Sequence, residues 1–168
     1  MSSKAPVTGA FSGIGRAFAK YHEARKGNVI ITARRLDALD TLKTEFEAEY
    51  GVTATAIALD LGAEGGAQAL YDRVRAANVA PDMVINNAGS GGHGAFVDRD
   101  LEADLAMIDL NVKALVTLCH RFGRDMADGQ GGKILNVSST AAHMPGPLKS
   151  TYVATKAFVS SFSQAIAE

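Results

Sequence analysis

Cysteine is almost absent from this chain: Cys119 is the only one in 168 residues. An internal disulfide is therefore excluded, and so is a structural zinc site built on clustered thiolates. A reducing, cytoplasmic setting is the expectation. An excess of one charge is also missing, since 17 Lys and Arg face 18 Asp and Glu for a net charge of −1. No field of one sign exists to hold nucleic acid or an anionic membrane surface. Long apolar runs are lacking too: no stretch approaches the roughly 20 residues that span a bilayer, and the opening "MSSKAPVTGA" has no signal-peptide core. Repeats, low-complexity tracts and linkers are not found, so a single domain over residues 1–168 is expected.

What is present is an alternation. Short runs rich in β-branched residues, "NVIITA" (28–33), "TATAIAL" (53–59), "DMVIN" (82–86) and "KILNVSS" (133–139), are separated by amphipathic stretches. In "LDALDTLKTEFEAEYG" the apolar Leu36, Leu39, Leu42 and Phe46 recur at helical spacing, and Gly51 supplies a stop. Strands apolar on both faces suit a parallel sheet covered on two sides. The fold class predicted is a doubly wound α/β sheet with helices on both faces. "GQGGK" (129–133) reads as a helix-to-strand turn.

Near the start, "TGAFSGIGRAFAKYH" places Gly9, Gly13 and Gly15 between a strand and a helix. The first turn of such a helix has unpaired N–H groups and the positive end of the macrodipole, so it can receive a pyrophosphate. Gly9 allows a sharp turn, Gly13 removes a side chain where phosphate approaches, and Gly15 permits close helix packing. Alone, these could be turn residues, because their spacing departs from G-x-G-x-x-G.

At the other end of the chain, Tyr152 and Lys156 stand four residues apart in "STYVATKAFVSS" and so share one helix face. Such a pair by itself is an ordinary amphipathic face. In company with "NNAG" (86–89), Asn111 in "MIDLNVKAL" and Ser139 in "NVSS", the set resembles the short-chain dehydrogenase/reductase family across essentially the whole chain. The T-G-x-x-x-G-x-G run at Thr8–Gly15 and the Tyr-x-x-x-Lys pair carry most of that resemblance. "ITARRLDAL" and the C-terminal stretch look most like an NADP-linked bacterial branch.

The resemblance implies a Rossmann-type fold and a nicotinamide cofactor, NADP in preference to NAD. The substrate would be a small ketone, aldehyde or secondary alcohol. Tyr152 would be the general acid/base, Ser139 the hydrogen-bond partner of the substrate oxygen, Lys156 the holder of the nicotinamide ribose, and Asn111 the support of a proton-relay water. Cofactor contacts are implied for Gly9, Ser12, Gly13, Ile14 and Gly15 in the first loop. Arg34, Arg35 and Asp60 follow later strands, and Asn87, Ala88 and Gly89 join Tyr152 and Lys156 at the centre. Arg34 is favoured over Arg35 for the ribose 2′-phosphate, with Asp37 as a helix cap. A free tyrosine titrates near 10, so proton transfer near neutrality requires about 4 kcal/mol of phenolate stabilisation, to which a nearby ammonium contributes.

Several residues depart from the family pattern. Pro6 lacks the N–H that a central strand would use, and the first strand is short. Phe11 stands where relatives often carry serine. Family members also continue past the Tyr152 helix, so the chain is expected to be incomplete at its C-terminal end, with the terminal helix and its Phe158, Phe162 and Ile166 inviting self-association into a homo-oligomer. A non-catalytic dinucleotide-binding scaffold is the rival reading, and a nucleotide-sugar epimerase a more distant one. Ser138 is disfavoured against Ser139. Cys119, beside Leu115, Leu118 and Phe122, reads as core. No histidines show ligand spacing, although His93 and His143 are candidates for the substrate mouth.

Overall fold

The structure, a computed structural model, describes residues 4–11, 13–129 and 131–167. Five parallel strands form one sheet in the order β3-β2-β1-β4-β5, with β1 Lys4–Thr8, β2 Asn28–Ala33, β3 Ala54–Ala58, β4 Met83–Asn86 and β5 Lys133–Asn136. The order reverses between β1 and β4, which opens a crevice at their carboxyl ends. The helices are α1 Gly13–Glu23, α2 Leu36–Tyr50, α3 Gly66–Ala76, α4 Leu101–Ile108, α5 Leu115–Asp128 and α6 Ser150–Ala165.

Alternation along the strands divides the core. Val7, Val29, Ile31 and Ile85 meet Ala19 of α1 and Leu39, Leu42 and Phe46 of α2 on one face. Ile30, Ile57 and Val84 meet Leu70 and Val74 of α3 and Leu118, Phe122 and Met126 of α5 on the other. This is the doubly wound arrangement expected from strands apolar on both sides. Cys119 is buried with Leu115 and Val159, so α6 leans on α5 and burial raises the thiol pKa.

Pro6 is tolerated in the centre of the sheet for a geometric reason. Gly9 N–H reaches Thr32 O of β2, while Lys4 N–H reaches Asp82 on the β4 side. Alternation therefore aims the Pro6 nitrogen at β4. Pairing with β2 runs over five residues, Lys4 to Thr8, whereas the register with β4 is held at Val7↔Ile85.

Three local expectations are corrected. Leu36 is 52% exposed, because it opens α2 beyond the reach of the sheet. Asp37 is not the cap: Arg35 occupies that position, without a side-chain cap bond, and Asp37 falls in the first turn. The run 133–139 ends as strand at Asn136, after which Val137 N–H still reaches Asn86 O and the chain turns away.

Candidate active site

The glycine loop behaves as its residues require. Gly9 has φ +63°, and a Cβ there would lie 2.9 Å from Ala88 Cα and Asn87 Nδ2. A Cβ on Gly15 would come within 2.3 Å of Gly9 O, so α1 packs hard against its own loop. Gly13, at φ +54°, faces open space. That opening, in front of a helix N-terminus, leaves room for a phosphate. Ser12 lies outside the described residues.

Thr8 fastens this loop to "NNAG". Its Oγ1 donates to Ile85 O and accepts from the backbone N–H of Asn87 and Ala88 at 2.9 and 3.0 Å. Asn87 Nδ2 returns bonds to Thr8 O and Gly9 O. Asn86 turns inward instead and donates to Asn136 Oδ1, whose amide reaches Ser163 of α6. The two asparagines thus have separate work: Asn87 joins loop to loop, and Asn86 joins the sheet to the last helix.

Between α4 and α5 the chain widens into a π-helical stretch, Asp109–Ala114. Such a widening changes which side chains face inward and recurs at functional sites. Here it holds Asn111, buried as its apolar neighbours suggested. Asn111 Oδ1 accepts from Ser90 N–H, and its Nδ2 donates to Ser90 O and Thr155 Oγ1, all at 2.9–3.0 Å. The amide is therefore the brace between the loop after β4 and α6.

Lys156 is 7% exposed, and its Nζ donates to Val137 O at 2.8 Å. Burial lowers its pKa. An ammonium has three donors, so capacity remains for a ligand. Tyr152 presents one ring edge to Gly91, where a Cβ would sit 3.4 Å from Tyr152 Cδ2. A Cβ on Gly89 would lie 3.1 Å from Asn111 Oδ1 and 3.5 Å from Lys156 Nζ, so glycine there keeps the centre open.

Tyr152 and Lys156 line a cleft of about 660 Å³ together with Ser138, His93 and the glycines 89, 91 and 92. Ile14, Asn87, Gly89 and Ser90 are shared with a second groove of about 900 Å³ that reaches Phe11, Arg34, Arg35 and Asp60. The two form one path along the carboxyl ends of the strands. Gly9 and Ala88 line the second groove, and Asp60 Oδ1 accepts from Gly62 N–H there. Gly13 and Gly15 line neither cleft.

Ser138 lines the cleft and Ser139 does not, yet the Ser138 hydroxyl is committed to Lys156 O and to Ser160 Oγ. Ser139 Oγ accepts from Ala141 N–H at the start of a short turn, Thr140–His143, and keeps its own proton. His93 lines the cleft, whereas His143 is exposed outside it.

Sequence reasoning missed the brace formed by Arg99, Asp104 and Thr151. Arg99 pairs with the buried Asp104 and also donates to His93 O, and Asp104 accepts from Thr151 Oγ1 at 3.0 Å. The ion pair holds the Asp104 carboxyl below its ordinary range. It locks the glycine-rich loop to the residue before Tyr152. The only advance signal was a charge pair five residues apart beside "GSGGHG", which is too common to single out.

A dinucleotide fits this path on space and charge. Open space lies at Gly13, and Lys156 has spare donors at one end of the path. Arg34 and Arg35 at the other form no ion pair among the described residues. Among the described residues, no helix is long and apolar enough to cross a membrane, and no group of three or more His, Cys, Asp or Glu is placed to hold a metal.

A family profile described as short chain dehydrogenase matches residues 3–168. A short chain dehydrogenase of Pseudocercospora fijiensis is 33% identical over 163 residues, which are 96% of this chain and 52% of that protein. The very-long-chain 3-oxoacyl-CoA reductase of Anas platyrhynchos is 34% identical, over 96% of this chain and 53% of its own length. The chain thus spans about half the length of these curated relatives. Among solved structures, a short-chain dehydrogenase from Sphingobium yanoikuyae in complex with NADPH superposes with a TM-score of 0.92 at 32% identity. The match covers 98% of this chain and 64% of that one. L-sorbose reductase from Gluconobacter frateurii, complexed with NADPH and L-sorbose, gives a TM-score of 0.92 at 28% identity, over 98% and 63% of the two chains. With its glycine loop, its "NNAG" brace and its Tyr152–Lys156 helix set along one crevice, the chain belongs to the short-chain dehydrogenase family.

Proposed function

We propose that this chain is the cofactor-binding and catalytic region of an NADP-preferring oxidoreductase acting on a ketone, aldehyde or secondary alcohol. One observation carries the reading: Tyr152 and the buried Lys156 line a cleft that continues into a groove ending at two arginines without carboxylate partners. A bound nicotinamide supplies or accepts the hydride.

The chain's own residues orient the substrate and handle the proton. Tyr152 forms no hydroxyl hydrogen bond among the described residues, so its O–H is free to meet a substrate oxygen. It gives a proton to that oxygen in reduction and takes one in oxidation. Ser139 donates to the same oxygen, its proton, unlike that of Ser138, not being spent on α6. Lys156 binds a ribose hydroxyl with its remaining donors. Asn111 keeps Ser90 and α6 in register, so that Tyr152 does not drift from the reacting atoms. The backbone around Gly13 receives the pyrophosphate, and Arg34 and Arg35 attract a 2′-phosphate. The NADPH-bound relatives support the same cofactor preference.

The test is NADPH oxidation by the full-length protein with a panel of carbonyl compounds. Tyr152→Phe is expected to lower turnover by about 10²–10⁴-fold while NADPH binding, followed by fluorescence, persists. Normal turnover in Tyr152→Phe would remove this residue from the mechanism and leave the scaffold reading in its place.

A further inference from the structure

Phe11 and Arg35 come from separate segments, the loop after β1 and the N-cap position of α2, yet the Arg35 Cζ lies 4.2 Å from the Phe11 ring centroid. Both line the wider groove. We infer that Phe11 sets the cofactor preference of this groove through Arg35, by holding the guanidinium where a phosphoryl group on the ribose 2′ position would lie. The inference rests on the reading of the groove as the dinucleotide site.

The geometry is economical because the ring contact and hydrogen bonding draw on different properties of the guanidinium. With the Arg35 Cζ over the Phe11 ring, the attraction is to the charge, and N–H donors of the guanidinium stay available to phosphoryl oxygens. Free arginine side chains are costly to order when a ligand arrives. The stack supplies part of that order beforehand, and Phe11 is 37% exposed, so the platform stands at the groove rather than in the core.

Charge around the stack is consistent with an anion. Arg35 forms no ion pair among the described residues. The first turn of α2 has no side-chain cap, so its positive end adds to the guanidinium, while Asp37 in that turn offsets part of the charge. Arg34 lines the same groove but has no aromatic ring against it among the described residues. Phe11 is thus a positioning residue: it touches Arg35, and Arg35 touches the phosphoryl group.

The experiment titrates 2′,5′-ADP and 5′-ADP calorimetrically into the full-length protein and takes the ratio of the two affinities. Phe11→Leu is expected to reduce that ratio about threefold. Retained saturable 5′-ADP binding reports that the variant is folded, and Phe11→Tyr should restore the ratio. Arg35→Ala is expected to reduce it about tenfold. A wild-type ratio retained in Phe11→Leu, or lost in Arg34→Ala but not in Arg35→Ala, would overturn the inference while leaving the NADP reading intact. A wild-type protein that binds the two nucleotides equally would overturn that reading, and the inference with it.

Discussion

Lys156 and Glu23 are both buried ionisable groups, and they lie in regions that treat charge differently. Lys156, at the cleft, makes one hydrogen bond and has donors in reserve. Glu23, at the end of α1, is fully buried, and neither carboxylate oxygen has a hydrogen-bond partner. Burial pushes both toward neutrality: Lys156 downward, and Glu23 up to about 8, with the α2 carboxylates Glu47, Glu49 and Glu45 adding to the rise. The difference is access. Lys156 borders a cleft among groups that can hold a ligand, and Glu23 borders none of the clefts described here. A perturbed ionisable group therefore marks a candidate site only when space and partners accompany it.

The largest effect should separate these two regions by activity. Lys156→Ala is expected to lower turnover by about 10³-fold and also to weaken NADPH binding, because the same ammonium serves proton transfer and ribose. Glu23→Gln should leave both unchanged. Steady-state kinetics with NADPH titration checks the pair, and loss of turnover in Glu23→Gln would abolish the contrast.

Beside the cleft, the two adjacent serines should part company. Ser139→Ala is expected to reduce kcat/KM by about 10²-fold through loss of a donor to the substrate oxygen. Ser138→Ala removes a bond to the Lys156 carbonyl and should instead cost about 1 kcal/mol of stability. Kinetics beside denaturant unfolding distinguishes them, and equal kinetic losses would deny the separate roles.

Stability against pH isolates Glu23. Its folded pKa, about 8, lies above the ordinary 4.5, so the folded state holds an extra proton between those values. The associated stability is full below 4.5 and is lost as pH rises through 8, at about 1.4 kcal/mol per pH unit within the window. Glu23→Gln should flatten that slope. Urea midpoints from pH 5 to pH 8 measure it, and parallel curves for the two proteins would show that Glu23 does not titrate this way.

Thr8→Val touches no group given a chemical step, so its effect should be confined to stability and be most visible in the crevice. It strips the acceptor from the backbone N–H groups of Asn87 and Ala88 and is expected to cost about 1–3 kcal/mol. Hydrogen exchange at those two amides should accelerate more than exchange elsewhere in β4. Uniform acceleration would mean a general loss of stability rather than a loosened loop.

The repeated apolar strands, the helical spacing of Leu39, Leu42 and Phe46 and the left-handed stop at Gly51 were legible along the chain, because periodicity and backbone sterics are local. The glycine loop was legible for the same reason: a positive φ, as at Gly9 and Gly13, favours glycine on local steric grounds. Leu36 and Asp37 were misread, since a shift of two residues at a helix start decides exposure and capping. Tyr152 and Lys156 could be put on one helix face by spacing, but only packing could bury Lys156 and bring Val137 to its ammonium. Likewise, the π-helical stretch that turns Asn111 to Ser90 and Thr155, and the Asp104 link to Arg99 and Thr151, have no local signature. Composition and periodicity thus determined the sheet, its covering helices and the residues capable of chemistry. Tertiary structure decided which of them share a cleft, which hydroxyl keeps its proton and which buried charge has donors to spare, because those depend on contacts between segments far apart in the chain.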